Sequence, residues 1–373
     1  MRSYSLPFSS TTFAGSMPMS HRKSSPAIAR WVLLGVIMLL VQVLLGGITR
    51  LTGSGLSITE WNIFMGTIPP LNENQWQLAF AKYRETPQFH LLNADFELSD
   101  FKFIFFWEWF HRLWARLVGV VFLLGFFYFL AKKELKRNMI RPLLILFLLG
   151  ALQGAVGWIM VLSGLTGDEI YVKPLKLALH FVFALCLISY AFWFWLELAI
   201  PRRKNKGTDG LKKLSMFILG VLFIQLIYGA LMAGGKLANV APDWPTINGE
   251  WIPDSLFSTN ANRPFWLENK IAVQFIHRGL AYLLVLLVVI WTIISYKPSI
   301  SSYYIHRFRT LPLFNVGLQV LLGIMTVLLS TEIVPNHWVA FDWFALAHQV
   351  IGMLFVLSMV FMIYSLRSKQ SDS

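Results

Sequence analysis

The stretch "FFWEWFHRLWARLVG", residues 105–119, sets Glu108, His111, Arg112 and Arg116 at the edge of an apolar run. Glu108 and His111 are one helical turn apart and share a helix face. A carboxylate can take up a proton, and an imidazole can ligate a metal or carry a proton itself. Ionisable groups beside a membrane are costly, so such a cluster is expected to have a chemical task. Three more histidines, His180, His277 and His348, stand in apolar runs further along the chain. Arg278 follows His277 directly, as Arg112 follows His111. His21, His90, His306 and His337 fall in the tail or in loops and read as surface residues.

The apolar runs are the elements that must hold these side chains. The 373-residue chain is 56% hydrophobic and only 14% charged, with a mean hydropathy of +0.59. A soluble domain has no need of so much apolar surface, and the pattern predicts an all-α membrane protein. Spans are expected at 31–49, 112–131, 142–163, 175–199, 212–233, 271–295, 308–329 and 343–366. Basic residues cluster in "HRKSSPAIAR", "KKELKR", "PRRKNKGTDGLKK", "HRFR" and "LRSK". The positive-inside rule then puts both termini in the cytoplasm or its equivalent. Loops 50–107 and 234–270 face outward. The net charge of +13 is thereby a topology signal and not a nucleic-acid footprint. Residues 1–29 carry Arg, Ser and Thr but no acid, compatible with a mitochondrial transit peptide or a cytoplasmic tail. The single cysteine, Cys186, excludes an internal disulfide and a cysteine metal site. It is expected to be a buried small side chain.

The chain repeats itself. Gln42-x3-Gly46, Gln153-x3-Gly157, Gln225-x3-Gly229 and Gln319-x3-Gly323 mark the odd-numbered spans, and the four histidines mark the even-numbered ones. Gln42 and Gln225 are 183 residues apart, as are Trp61 and Trp244. His111 and His277 are 166 apart, as are Gln153 and Gln319, while His180 and His348 are 168 apart. The fall from 183 to 166 makes the first outer loop 17 residues longer than its partner. The expected plan is two tandem four-helix bundles, 30–200 and 212–366, with a basic linker at 201–211 and tails at 1–29 and 367–373. Gln-x3-Gly itself has two readings. It serves close helix packing with an amide bonded to a neighbour, or it makes room for a flat cofactor.

Two histidines per unit, at matching depth on alternate helices, suit a planar metal cofactor gripped from both sides. Facing imidazoles in a bundle fit haem iron. Zinc would want three or four ligands in a tetrahedron, and no carboxylate pair is present to complete a di-iron site. Arg112, Arg116 and Arg278 fit as partners of haem propionates, or as snorkelling side chains at helix ends. The halves differ in one informative place, where Glu108 in "EWFH" becomes Gln274 in "QFIH". One reactive site and one electron-transfer site is the simplest reading.

The motifs "EWFHRLWAR", "LALHF", "QFIHRGLAY", "ALAHQ" and "GGITRLTGSGLSITEWN" with "GTIPP", on this duplicated plan, resemble the haem A synthase family over about residues 30–366. The resemblance implies oxidation of a ring methyl group of haem O to a formyl group, giving haem A for terminal oxidase assembly. It implies haem b held by His277 and His348, haem O framed by His111 and His180, and Glu108 as the catalytic acid residue. It also implies hand-over from a haem O synthase and an electron acceptor, and leaves the oligomeric state open, a homo-oligomer included. Lacking an outer-loop cysteine pair, the chain is similar to the branch of many Gram-negative bacteria and mitochondria. A bacterial inner membrane is expected, with the mitochondrial inner membrane as the alternative. The carboxylate could take a proton, orient water or stabilise positive charge at the methyl carbon. The rival reading is a di-haem electron carrier of the cytochrome b561 type, which wants haems near opposite faces. Here all four histidines start their helices from the outer side. A transporter, suggested by the repeat alone, leaves the histidine pairs unexplained.

Reporter fusions at 132–141 and 200–213 should read cytoplasmic, and fusions at 50–107 and 234–270 external. A cytoplasmic signal from 234–270 would break the placement of the four histidines on one side.

Overall fold

The computed structural model describes residues 26–60, 65–257, 265–334 and 337–367. His21, Trp61 and most of both tails lie outside them. Among the described residues eight helices are long and apolar enough to cross a membrane. They are α1 Pro26–Leu51, α2 Leu98–Ala131, α3 Arg137–Leu162 and α4 Pro174–Ala199. They continue with α5 Asp209–Gly234, α6 Lys270–Ser295, α7 Leu311–Leu328 and α8 Ala340–Ser365. Among the described residues there is no strand beyond two isolated bridges. That is what a bilayer demands, since each helix satisfies its own backbone groups. Pro174 and Pro312 sit in the first turns of α4 and α7, where a missing N–H costs nothing.

The largest departure from expectation is α2. It begins at Leu98, not near residue 112, and runs for 34 residues. At about 1.5 Å per residue it is about 50 Å long, well beyond a hydrocarbon core of about 30 Å. Its first turns therefore stand beyond the apolar span, in the loop at 50–107 that the sequence reading expects to face outward. Phe101, Ile104 and Phe105 are buried there against Phe80, Tyr83 and Phe89. The last three come from loop helices Glu73–Arg84 and Pro87–Leu92. Asp100 closes a capping box by accepting the Glu97 N–H at 2.9 Å. Glu108 and His111 thus lie inside a continuous helix, and Glu108 caps nothing. A second correction concerns Cys186, which is exposed. Its place on α4 faces away from the bundle, so an apolar run here marks a lipid-facing side and not burial.

Helices α5 to α8 close into a ring, with α6 packed along α7 and α8 returning to α5. In the first half α1 packs on α2 and α4, and α3 packs on α4, but no comparable contact joins α2 to α3 among the described residues. One core links the halves: Val43, Leu185 and Ile188 cluster with Leu222, Val288 and Met353. Gln349 Nε2 donates to the Val43 carbonyl at 2.9 Å, tying α8 to α1. Gly47 makes that crossing possible, since a Cβ there would lie 2.7 Å from Leu346 Cδ1.

Two glycines of α5 should respond oppositely to substitution. A Cβ on Gly234 would meet the Pro174 backbone at 2.8 Å, which has no flexible end to yield. Gly234→Ala should cost about 1–3 kcal/mol. Gly220 has nothing within 4 Å of that position, so Gly220→Ala should stabilise by about 0.5–1 kcal/mol. Thermal unfolding of the two variants in detergent measures the difference, and equal shifts would refute the packing described.

Candidate active site

Each histidine is seated by the helix before it. A Cβ on Gly46 would lie 3.1 Å from His111 Cε1, on Gly157 2.8 Å from His180 Cε1, on Gly229 3.2 Å from His277 Cε1, and on Gly323 2.9 Å from His348 Cε1. The glutamine one turn earlier meets the same ring. Gln42 Nε2 lies 3.1 Å from His111 Nε2 and Gln153 Nε2 3.2 Å from His180 Nδ1. Gln225 Nε2 is 3.5 Å from His277 Nε2, and Gln319 Nε2 3.3 Å from His348 Nε2. Of the two readings of Gln-x3-Gly, close packing with an amide on a neighbour describes the contact, and the neighbour is the imidazole. The glycine is needed because the ring edge occupies the space of its side chain.

All four histidines line one cavity of about 850 Å³, together with Glu108, Arg112, Arg116 and Arg278. The His277 and His348 ring centres are 6.3 Å apart, with the planes at 75°. One metal ion between two imidazoles sets their centres about 6 Å apart, given metal–nitrogen bonds of about 2 Å. His348 Nδ1 lies 3.0 Å from the Gln319 carbonyl. That oxygen only accepts, so Nδ1 carries the proton and Nε2 bears the lone pair, met here by the Gln319 amide and available to a metal in its place. His277 Nδ1 and the Oε1 atoms of Gln42, Gln153, Gln225 and Gln319 are buried without a hydrogen-bond partner. The donor set therefore fits an axially ligated tetrapyrrole. Among the described residues no cluster of three or more His, Cys, Asp or Glu side chains could hold a bare metal ion. His90, His306 and His337 are exposed, as expected of surface residues.

Glu108 is only 2% exposed. Its Oε2 accepts from the Ser57 hydroxyl at 2.7 Å and the Ile58 N–H at 2.8 Å, and its Oε1 from Arg112 at 2.5 Å. Arg112 also donates to the Ile58 and Glu60 carbonyls at 3.2 and 3.3 Å. The partner position in the second half does the same work with opposite polarity. Gln274 Nε2 donates to the Leu237 carbonyl at 2.7 Å, while its Oε1 accepts from Arg278 at 2.8 Å. Arg278 donates to the carbonyls of Ala241, Asp243 and Thr246 at 2.8, 2.9 and 2.7 Å. Both Arg112 and Arg278 thus pin an outer loop to its helix. The Arg278 loop is held in turn by Asp243, which accepts from Thr246, Asn248 and Gly249 at 2.7–2.9 Å. Burial pushes the Asp243 carboxyl up, but the donors from Gly249, Thr246 and Asn248 outweigh that and hold it at about 2. The swap of acid for amide follows the loop: donors face residue 108 and acceptors face residue 274. Arg50 and Lys236 also line the cavity, and neither was singled out from the sequence. The available signal was the repeat offset, which sets Arg50 opposite Ala233 and Lys236 opposite Gly53.

Eight apolar helices with four glycine-seated histidines on one cavity define a multi-pass membrane protein whose histidine set suits a tetrapyrrole. The model of the COX15-CtaA family, described as cytochrome oxidase assembly protein, matches residues 29–360, and the chain belongs to that family. It is 37% identical over 349 residues to a Flavobacterium johnsoniae protein named heme A synthase, covering 92% of this chain and 99% of that one. It is 38% identical to a Paracoccus denitrificans protein of the same name, covering 92% and 89%. A Granulibacter bethesdensis heme A synthase is 39% identical, over 91% and 87% of the two chains.

Gln274→Glu should be destabilising, because it turns a carboxylate oxygen toward the Leu237 carbonyl that now receives an N–H. The expected loss is about 1–3 kcal/mol. Limited proteolysis of the loop at 235–269 reads it, and unchanged resistance would refute the anchoring role.

Proposed function

We propose that this chain is a haem A synthase, which oxidises a ring methyl group of haem O to a formyl group and yields haem A. The observation that carries the reading is the pair of histidine pairs in one cavity, in a chain matched over nearly its whole length by proteins of that name. His277 and His348 hold a resident haem b, and His111 and His180 frame the haem O site. When bound, the resident group supplies single-electron transfer. Glu108 places a carboxylate in the cavity wall one turn from His111 and takes up a proton released at the methyl carbon. Ser57, Ile58 and Arg112 fix its position. The protein works in a bacterial inner membrane, takes haem O from the enzyme that makes it, and passes electrons to an acceptor.

Two asymmetries support this assignment of the halves. The first is the acid at 108. The second is space. Gly35, Gly119, Gly150 and Gly154 line the cavity with nothing within 4 Å of a built Cβ. By the repeat offsets of 183 and 166 their partners are Ile218, Val285, Val316 and Val320. Ile218 is fully buried and Val316 is 3% exposed. The first half keeps room where the second is filled, as befits a molecule that comes and goes against one that stays.

Expression with a supply of haem O, followed by haem extraction and chromatography, should yield haem A. His277→Ala or His348→Ala should deplete the tightly held haem b. His111→Ala should retain more of that haem while abolishing product, and Glu108→Gln should leave haem O or a partly oxidised haem. Equal haem loss from all four histidine substitutions would contradict separate resident and substrate sites, and normal output from Glu108→Gln would remove Glu108 from the chemistry.

A further inference from the structure

Arg112 and Arg278 spend their donors on outer-loop carbonyls, which directs attention to the other cations of the cavity. Arg50 ends α1 one turn beyond Gly46, the residue that seats His111. Its Nε and Nη2 donate to the Ala233 carbonyl at 3.2 and 2.8 Å. Ala233 is 183 residues on, the repeat counterpart of Arg50 itself, and lies one turn beyond Gly229, which seats His277. The guanidinium thus reaches across the seam from the first histidine site to the second.

Lys236 lines the same cavity from the other half. Its Nζ lies 3.7 Å from the Tyr171 ring centre. Lys236 has φ 52, and its repeat counterpart Gly53 has φ +66. Both halves make the same left-handed turn after the helix. The first half uses glycine for it, and the second carries a side chain in a conformation that costs every L residue. A strained lysine at a place where glycine serves calls for a use of its charge. Burial at the cavity mouth and the Arg50 charge bring its ammonium down to about 8. Among the described residues neither cation forms an ion pair with a carboxylate. Asp342, the acid whose charge Arg50 feels, already accepts the Val339 N–H that caps α8. Two cations from opposite halves therefore line one cavity, and among the described residues neither is in an ion pair with a carboxylate.

We propose that Arg50 and Lys236 form a carboxylate-binding site on the seam, taking a propionate group of a tetrapyrrole seated at one of the histidine pairs. This rests on the function proposed above. Two charge-assisted contacts at the outer end of the cavity would orient the ring and keep its acid groups toward water. Arg50 comes from the helix that seats His111 and bonds to the helix that seats His277, a position between the two sites.

The test uses the full-length chain, produced under haem starvation and purified in detergent. Haem b, haem O and the dimethyl ester of each are titrated in, with the Soret band as readout. The unsubstituted chain should prefer each free acid to its ester. Arg50→Gln and Lys236→Gln should each weaken free-acid binding about tenfold and leave ester binding unchanged. Loss confined to haem b identifies the resident group as the source of the carboxylate, and loss confined to haem O identifies the substrate. Lys236→Gly adopts the turn of Gly53 without strain, so it should melt no lower than the parent and still lose the preference. An intact free-acid preference in the variants, for both haems, would overturn this site alone and leave Arg50 a tie between the halves. A parent chain that binds no tetrapyrrole would overturn the proposed function and this site with it.

Discussion

The rest of the structure depends on a close approach, repeated four times, between a glycine on one helix and an imidazole on the next. The ring edge lies where any other side chain would begin, so neither helix can shift along its partner without driving the histidine into backbone. The glutamine amide one turn away holds the ring from the side. These contacts fix depth and rotation together. In a bilayer, where lipid is as apolar as the side chains, packing and polar contacts of this kind set helix register in place of a hydrophobic driving force. Once the four rings are placed, the cavity between them and its opening toward the outer loops follow.

The outer loops are the second layer of the design. Each has buried side chains of its own, Phe80, Tyr83 and Phe89 in the first and Leu237, Ile247 and Leu256 in the second, and each is fastened by an arginine one residue after a histidine. Arg112 and Arg278 each gather several backbone carbonyls, and the residue four positions earlier completes the grip. Whether that residue is an acid or an amide is settled by what the loop presents to it. Glu108 consequently has a structural duty along with the chemical one proposed for it. Any substitution there perturbs a loop and a reaction together, and product analysis must be read beside protein level and haem content.

Much of this was legible in the residues. Eight spans, their order and the spacing of the Gln-x3-Gly and histidine devices all follow from apolar runs and offsets. The start of α2 did not, because Phe101, Ile104 and Phe105 are held by aromatic residues of two loop helices, and hydropathy sees the residues but not their partners. The exposure of Cys186 was missed for a related reason: in a membrane protein an apolar neighbourhood does not imply an interior. The polarity of the loops facing residues 108 and 274 was out of reach too. It depends on backbone groups, Ile58 N–H on one side and the Leu237 carbonyl on the other, which no side-chain pattern encodes. The pairing of Arg50 with Lys236 was encoded, but only as two departures from the repeat.

The crossing of α1 with α8 bears on how the protein is made. A ribosome delivers α1 first and α8 last, yet the face of α1 at Gly47 is closed by Leu346 and Gln349 of α8. Until synthesis is complete, the first helix has an open flank, and the first bundle waits in the membrane half-assembled. A chain stopped short of residue 340 lacks a lid for its oldest segment as well as its own final helix. Quality control that recognises an uncovered helix flank would therefore see a product broken before α8 as unfinished from its beginning.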